Sequence, residues 1–425
     1  MSPSLHRQGT WVVARLGAYM HYAVPRILHH AGRLERFYTD FYAGTVATHL
    51  LSLMPKRRRA SAINRALGRA VRDLPEDRIR SYPMLGLEYY LRQAWARGPQ
   101  ARDEVFLWVG EKFGRLVTRD GFGNAGGIYA FTTAALEIFK GARQNGLVTV
   151  LEQTIAPRAM EEELVAAEYK HFPKWQPDRD HGRSITQTIA REQAEWQLAD
   201  LIICGSEFVR QGVAQCGGPL ERCTVIPYGV DAAFSRAARP LHDGPLRVLS
   251  VGQVGLRKGI GYAVETARLL GDATEFRWVG PVDLLPDARR HVERYVQLTG
   301  AVPRNQILPH FEWADVFFLP SVCEGSATVT YEALTSGLPV VATPNTGSIV
   351  TEGINGFIVP TRDIEAMAER LQRLHLDRGM LYKMQEAARS TSEFASLESY
   401  ERRLLQTLCS DSIGCGYVVP SASVN

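Results

Sequence analysis

Short apolar runs alternate with longer segments of mixed character along most of the chain, and turn residues punctuate the boundaries. Trp11 to Leu16 reads as a first strand closed by Gly17, and Pro25 to Phe37 as a helix rich in His and Arg. Val105–Val109 and Val148–Leu151 read as further strands, with Phe131–Asn145 as a helix between them. Leu201–Cys204, followed by Gly205-Ser206, is another strand with its turn. The alternation restarts at Leu246 after a Pro/Gly-bearing bridge, Arg239 to Pro245. There Val248–Val251 and Val316–Leu319 read as buried strands, the second stopped by Pro320-Ser321, and Thr328–Thr335 as a helix ending near Gly337 and Pro339. Val340–Thr343 is then a β-branched strand, followed by a Gly347-Ser348 turn, a short helix, Gly353 to Gly356 and a last strand. Strands that alternate with helices imply parallel sheets built from right-handed crossovers, so the chain reads as α/β with two such units.

The expected division is 1–238 for the first domain, with a helical insertion at about 41–100, and 239–393 for the second. A helix from about Ser396 to Leu408 occupies 394–409, and 410–425 is a small, polar, loose tail. A length of 425 residues with 45% apolar content can bury two cores of this size. No apolar run is long enough for a spanning helix, and the start of the chain lacks the h-region and cleavage site of a signal peptide. Six scattered cysteines without a CxxC pair argue against a disulfide scaffold or a zinc site and fit a reducing cytoplasm.

Net charge is only +4, but it is uneven: residues 1–200 hold 28 Lys/Arg against 21 Asp/Glu. The sharpest excess runs from Lys56-Arg57-Arg58-Arg59 to Arg72, with Ile63, Leu67 and Val71 at helical spacing. Two readings stand: a solvated face of a packed helix, or a surface for anionic lipid or a phosphate-bearing acceptor, which would place the protein peripherally on the inner face of a membrane. No basic-aromatic module accompanies the patch, which argues against nucleic-acid binding.

The chemistry concentrates in Phe317–Pro339, FFLPSVCEGSATVTYEALTSGLP. Glu324 falls on the loop into the helix, and Glu332 lies two turns down it, roughly 80° round the axis at ~100° per residue. The backbone N–H groups of Gly325, Ser326, Ala327 and Thr328 at the helix start form an expected anion seat, favoured by the helix dipole. An anion seat between two carboxylates that accept hydroxyl hydrogen bonds suits a sugar joined to a nucleotide diphosphate. Arg257-Lys258-Gly259, on the loop after Val248–Val251, adds two cations suited to a diphosphate leaving group.

Taken with PVVATPNTGSIVTEGINGFIVP (339–360), VIPYGVD (225–231) and VLSVGQVGLRKG (248–259), this segment resembles the C-terminal domain of retaining glycosyltransferases of family 4, also called glycosyl transferases group 1. The resemblance is specific from about Thr224 to Arg373 and implies the GT-B fold: two Rossmann-like domains facing a cleft, with the C-terminal helix crossing back to the N-terminal domain. It further implies a UDP- or GDP-sugar donor, no cofactor, no metal, and a saccharide or lipid-linked saccharide acceptor. By the same resemblance Lys258 and Arg257 meet the diphosphate, Glu324 the donor sugar near its anomeric carbon, and Glu332 the ribose, while Gly280 and Arg304 flank the base. Two departures stand out. The family usually carries Arg directly after Gly252, where this chain has Gln253, and Ser326-Ala327 replace a Phe-Gly pair. On the acceptor side Gly17, the Gly126-Gly127-Ile128-Tyr129 segment and Glu152 are the candidates, and His21, His29, His30 and His171 are all available for a role beside the reacting carbon. The alternatives are a nucleotide-sugar 2-epimerase of the same fold, or a non-catalytic member that only binds.

Overall fold

A computed structural model describes residues 9–42, 73–177, 179, 182–231, 234 and 242–409. The first sheet contains β1 (Trp11–Arg15), β2 (Leu34–Thr39), β3 (Ile79–Ser81), β4 (Gly127–Phe131), β5 (Val148–Gln153), β6 (Leu201–Cys204) and β7 (Cys223–Val225). Its order is β3-β2-β1-β4-β5-β6-β7, every pair parallel. The second contains β8 (Leu246–Val251), β9 (Thr274–Val279), β10 (Val296–Gly300), β11 (Val316–Leu319), β12 (Val340–Ala342) and β13 (Gly356–Ile358). Its order is β10-β9-β8-β11-β12-β13, again all parallel. The central strands are buried along their whole length on both faces, as in β4 and β11, which is why they read as apolar runs rather than as alternations.

Chain order reverses direction between β1 and β4 in the first sheet and between β8 and β11 in the second. Crevices at the carboxyl ends of strands open at such switch points. The loops that leave β8 and β11 are the two that carry Lys258 and Glu324, so the topology brings together segments more than sixty residues apart.

Several sequence expectations need correction. Pro25–Phe37 is not one helix: the helix is Ala23–His30, Gly32 turns the chain at φ +68°, and β2 follows. Val105–Val109 lies inside a helix of 23 residues, Gly98–Asp120. Val109, Phe113 and Val117 recur at a spacing of four and are its buried stripe, a pattern that only the longer window reveals. Phe131 ends β4, and the helix expected from there begins at Leu136. No helix follows the Gly347-Ser348 turn; a single 3-10 turn, Pro344–Thr346, precedes it. The basic Lys56–Arg72 segment and the 410–425 tail lie outside the described residues.

Two elements cross between the sheets. The helix Leu397–Leu408, capped by the Ser396 hydroxyl, runs back onto the first domain as expected. Its Tyr400, Leu404 and Leu408 share one core with Trp11, Tyr22 and Leu28, and Arg403 donates to the Pro227 carbonyl at 3.0 Å. A second crossing runs the other way. The helix Arg158–His171 and the turn after it belong to the first domain by connection, yet Phe172 and Trp175 pack on the second domain's core. Glu168, fully buried, accepts from the Tyr262 hydroxyl at 2.7 Å and pairs with Arg362 at 2.7 Å.

Candidate functional site

The loop after β8 rises over the sheet through Gly252, at φ +130°. A Cβ there would lie 2.6 Å from Lys258 Cε, so only glycine lets the lysine stem pass over the strand end. A 3-10 turn, Leu256–Lys258, then delivers both cations before the helix Ile260–Leu270 starts.

Lys258 Nζ and Arg257 Nη1 both reach Glu324 Oε1, at 2.6 and 3.1 Å, and Arg257 Nη1 also donates to the Cys323 carbonyl at 2.7 Å. The lysine and the glutamate side chains are each only 11% exposed. Burial pushes the Glu324 carboxyl up, but the two cations more than offset it and hold it below the ordinary carboxylate range. Burial draws the Lys258 ammonium below its ordinary value, with Arg257 adding to the effect and Glu324 opposing it. The result is a carboxylate kept ionised by cations that have few other partners, a group ready to exchange one anion for another.

The helix Thr328–Thr335 begins where the sequence placed it, and its N-cap residue, Ala327, supplies no side-chain cap. The expected anion seat is narrower than four amides. The Ala327 N–H is committed to the Thr346 carbonyl at 3.1 Å, and the Glu324 N–H to the Asn345 carbonyl at 3.1 Å. Gly325 is pressed against the first domain: its carbonyl accepts from Ser206 Oγ at 2.6 Å, and a Cβ on it would lie 2.2 Å from the Thr154 carbonyl. Ser326 Oγ bonds to Tyr331 OH at 2.7 Å and to the Gly347 carbonyl at 3.1 Å, so its side chain faces inward. Of the four amides at the helix start, Ala327 is thus taken, which leaves those of Gly325, Ser326 and Thr328 for an anion.

Glu332 is 3% exposed and pairs with Arg304 at 2.6 Å, while the guanidinium of Arg304 also lies 4.9 Å from the Phe234 ring centroid. Burial raises the Glu332 carboxyl, and Arg304 only partly reverses this. Its Oε2 is buried and has no hydrogen-bond partner. An acceptor oxygen left unpaired in this way costs about 1–3 kcal/mol, which a ligand hydroxyl would recover. Gly280 directly follows β9 at φ +153°, and a Cβ there would meet the Gly252 carbonyl at 2.0 Å.

Gln253 is exposed and donates to Asp283 Oδ2 at 3.1 Å, an oxygen that also accepts from Gln176 of the first domain at 2.7 Å. These groups line a cavity of about 520 Å³ between the domains, with Lys258 and Arg257 on one wall and Asp103, Glu161 and Arg179 on the other. The wall contributed by the first domain went unread in the sequence. Arg158 connects Asp103, Glu161 and Glu162 there, at 3.5, 3.2 and 2.9 Å; the two glutamates are its i+3 and i+4 neighbours on one helix, whereas nothing local in the sequence marks Asp103 as a neighbour.

Two acceptor-side candidates fail on position. Tyr129 and Glu152 are fully buried and bonded to each other at 2.7 Å, and Tyr228 OH donates to the same carboxylate at 3.0 Å. Burial raises the Glu152 carboxyl. The trio is a core feature, and neither side chain offers surface to an acceptor. Gly126-Gly127 opens β4, at the amino end of the strand and away from the cleft. Gly17 does follow the carboxyl end of β1, its N–H held by Asp40 Oδ1 at 2.8 Å. Among the described histidine side chains, His30 pairs with Asp73 at 3.6 Å and His171 Nδ1 lies 3.4 Å from the Ala167 carbonyl.

Residues 245–377 match the family model described as glycosyl transferases group 1. The chain is 30% identical to the amylovoran biosynthesis glycosyltransferase AmsK of Erwinia amylovora over 41% of its own length and 47% of that protein. It is 31% identical to the colanic acid biosynthesis glycosyltransferase WcaL of Escherichia coli, described as putative, over 42% and 48%. The chain thus spans about half the length of the curated relatives it matches. Among solved structures, Anabaena HepE in complex with UDP and glucose superposes with a TM-score of 0.61 at 14% identity, covering 94% of this chain and 99% of that one. Sucrose-phosphate synthase from Thermosynechococcus elongatus does so at 0.60 and 16% identity, covering 94% and 98%. At such identities the likeness speaks to fold alone: two Rossmann-like domains in the GT-B arrangement.

Proposed function

We propose that this protein is a retaining glycosyltransferase that moves a sugar from a UDP- or GDP-sugar to a saccharide or lipid-linked saccharide, in the synthesis of a cell-surface polysaccharide or glycoconjugate. The observation that carries the reading is the buried, unpartnered Oε2 of Glu332, one helix away from a Glu324 carboxylate held by two cations. Ribose hydroxyls suit the first and a sugar–diphosphate junction suits the second. Relatives of the chain include the amylovoran biosynthesis glycosyltransferase AmsK and the colanic acid biosynthesis glycosyltransferase WcaL, described as putative, and one structural neighbour holds UDP and glucose.

In this reading the donor diphosphate enters beside Lys258 and Arg257 and takes over part of their pairing with Glu324. The bond between the anomeric carbon and the diphosphate oxygen breaks as the acceptor oxygen bonds to that carbon from the same face. The acceptor's proton passes to the departing phosphate oxygen. Lys258, Arg257 and the amides left at the helix start neutralise the charge that grows on that phosphate, while Glu324 orients the donor sugar's hydroxyls. Because fixed cations do this work, no metal ion is required. The acceptor enters from the first domain's side of the interdomain cavity.

A thermal-shift screen of UDP-, GDP- and ADP-sugars tests the donor assignment. A true donor at a hundred times its Kd stabilises the protein by ~2.7 kcal/mol. Proton NMR of the product formed from the stabilising donor then reads its anomeric configuration. Inversion would overturn the retaining mechanism, and an epimerised free sugar formed without acceptor would favour the epimerase.

A further inference from the structure

The first domain sends a short arm, residues 172–176, onto the second domain beside the loop that carries its two cations. Phe172 lies against Gly261 in the first turn of the helix Ile260–Leu270, where a Cβ would come within 2.4 Å of the ring. Glycine costs a helix about 1 kcal/mol relative to alanine, and here that ring fills the space it leaves. Lys174 turns the arm at φ +63°, an uncommon conformation for a non-glycine residue that its surroundings must hold. The Trp175 carbonyl then accepts from the Leu285 N–H at 2.9 Å, on the loop that leaves β9.

Gln176 uses both ends of its amide. Its Oε1 accepts from the Leu256 N–H at 2.8 Å, and its Nε2 donates to Asp283 Oδ2 at 2.7 Å. Leu256 opens the 3-10 turn whose next two residues are Arg257 and Lys258, and the first N–H groups of such a turn have no partner within it. One side chain from the first domain thus caps that turn and ties it to the loop after β9. Gln253 donates to the same Asp283 oxygen at 3.1 Å, so the cation loop is clasped on both sides of Gly255. A Cβ on Gly255 would lie 2.9 Å from Gln176 Nε2, so the glycine leaves room for the clasp.

We propose that Gln176 is a positioning residue for the diphosphate. Through Leu256 it fixes the turn that aims Arg257 and Lys258, so the anion site of the second domain is complete only with the first domain's arm in place. The inference rests on the glycosyl-transfer reading, in which those cations meet the phosphate next to the donor sugar. A nucleoside monophosphate lacks that phosphate, so its binding does not depend on where the turn sits. The role is therefore visible as selectivity between diphosphate and monophosphate, which a general loss of stability would not change.

The test is calorimetric titration of the full-length protein with UDP, GDP, UMP and GMP. In wild type the diphosphate of one base is expected to bind more tightly than its monophosphate. Gln176→Met keeps the bulk of the side chain and removes both of its bonds. It should weaken the diphosphate about tenfold or more and the monophosphate by less than about threefold, and speed amide hydrogen exchange over residues 252–259. Gln176→Glu sets a carboxylate against Asp283 and should lose diphosphate affinity likewise. Adding Asp283→Asn returns a donor to that contact and should recover affinity to within about threefold of wild type. This second pair carries the test if Gln176→Met does not fold. Unchanged diphosphate affinity in folded Gln176→Met, an equal loss for both nucleotides, or no recovery in the double variant would overturn the positioning role. Wild-type protein that binds none of the four nucleotides would instead remove the glycosyl-transfer reading, and this role with it.

Discussion

Replacing Lys258 with Met probes the cation-carboxylate cluster directly. Methionine approximates the lysine stem, so the packing against Gly252 is largely kept and the change isolates the ammonium. In the wild type Lys258 Nζ is 2.6 Å from Glu324 Oε1, and both side chains are nearly enclosed. Breaking a buried ion pair from one side typically costs about 3–5 kcal/mol, because the surviving charge stays desolvated. Here Arg257 still holds Glu324 at 3.1 Å, so a loss of about 2–3 kcal/mol is expected. Urea unfolding of the wild type, Lys258→Met, Glu324→Gln and the double variant gives a double-mutant cycle. The coupling should exceed about 1 kcal/mol, because neutralising Glu324 in the Lys258→Met background removes a stranded charge. The pH dependence has a defined sign. Glu324 is depressed in the folded state, so its contribution is full above the ordinary carboxylate pKa and is lost as pH falls through its lower folded value. In Lys258→Met that loss should begin at a higher pH. Additive effects, within about 0.5 kcal/mol, together with an unchanged acid limb would refute the coupled cluster.

Three further outcomes are expected. Gly325→Ala places a Cβ 2.2 Å from the Thr154 carbonyl, so the interdomain contact must yield. A stability loss of about 1–3 kcal/mol is expected, or a larger radius of gyration by small-angle scattering, and an unaltered protein would contradict the close approach. Glu168→Gln removes the charge that pairs with Arg362 across the domains and should reduce stability by about 3 kcal/mol, read by chemical denaturation. Turnover with the preferred donor should survive an excess of EDTA, and its abolition, restored by a divalent cation, would refute the metal-independent reading.

The second domain was the more legible half. Val316–Leu319 and Thr328–Thr335 occur with the bounds their residues suggested, because an apolar run stopped by Pro320 and a helix stopped near Gly337 are local signals. The first domain hid its strands better. Gly127–Phe131 has little β-branching, and Leu34–Thr39 follows a helix whose apolar spacing continues into it, with only Gly32 to mark the break. Site chemistry was readable as residue types and less so as pairings. That Glu324 would be claimed by Lys258 and Arg257, or that Thr346 would take the Ala327 amide, depends on contacts between distant loops. The same holds for the first domain's wall of the cavity and for Phe172 and Trp175 packing on the second domain. Glu152 looked like a cleft carboxylate at a strand end; in the structure its side chain turns inward to two tyrosines.

Calorimetric titration of the protein with UDP and with GDP, repeated on Glu332→Ala, tests the central claim most directly. One of the two nucleotides should bind the wild type, and loss of the ribose contacts to the buried carboxylate should weaken that binding at least tenfold, ~1.4 kcal/mol. An unchanged dissociation constant in Glu332→Ala, or no heat from either nucleotide with folded wild-type protein, would contradict the account.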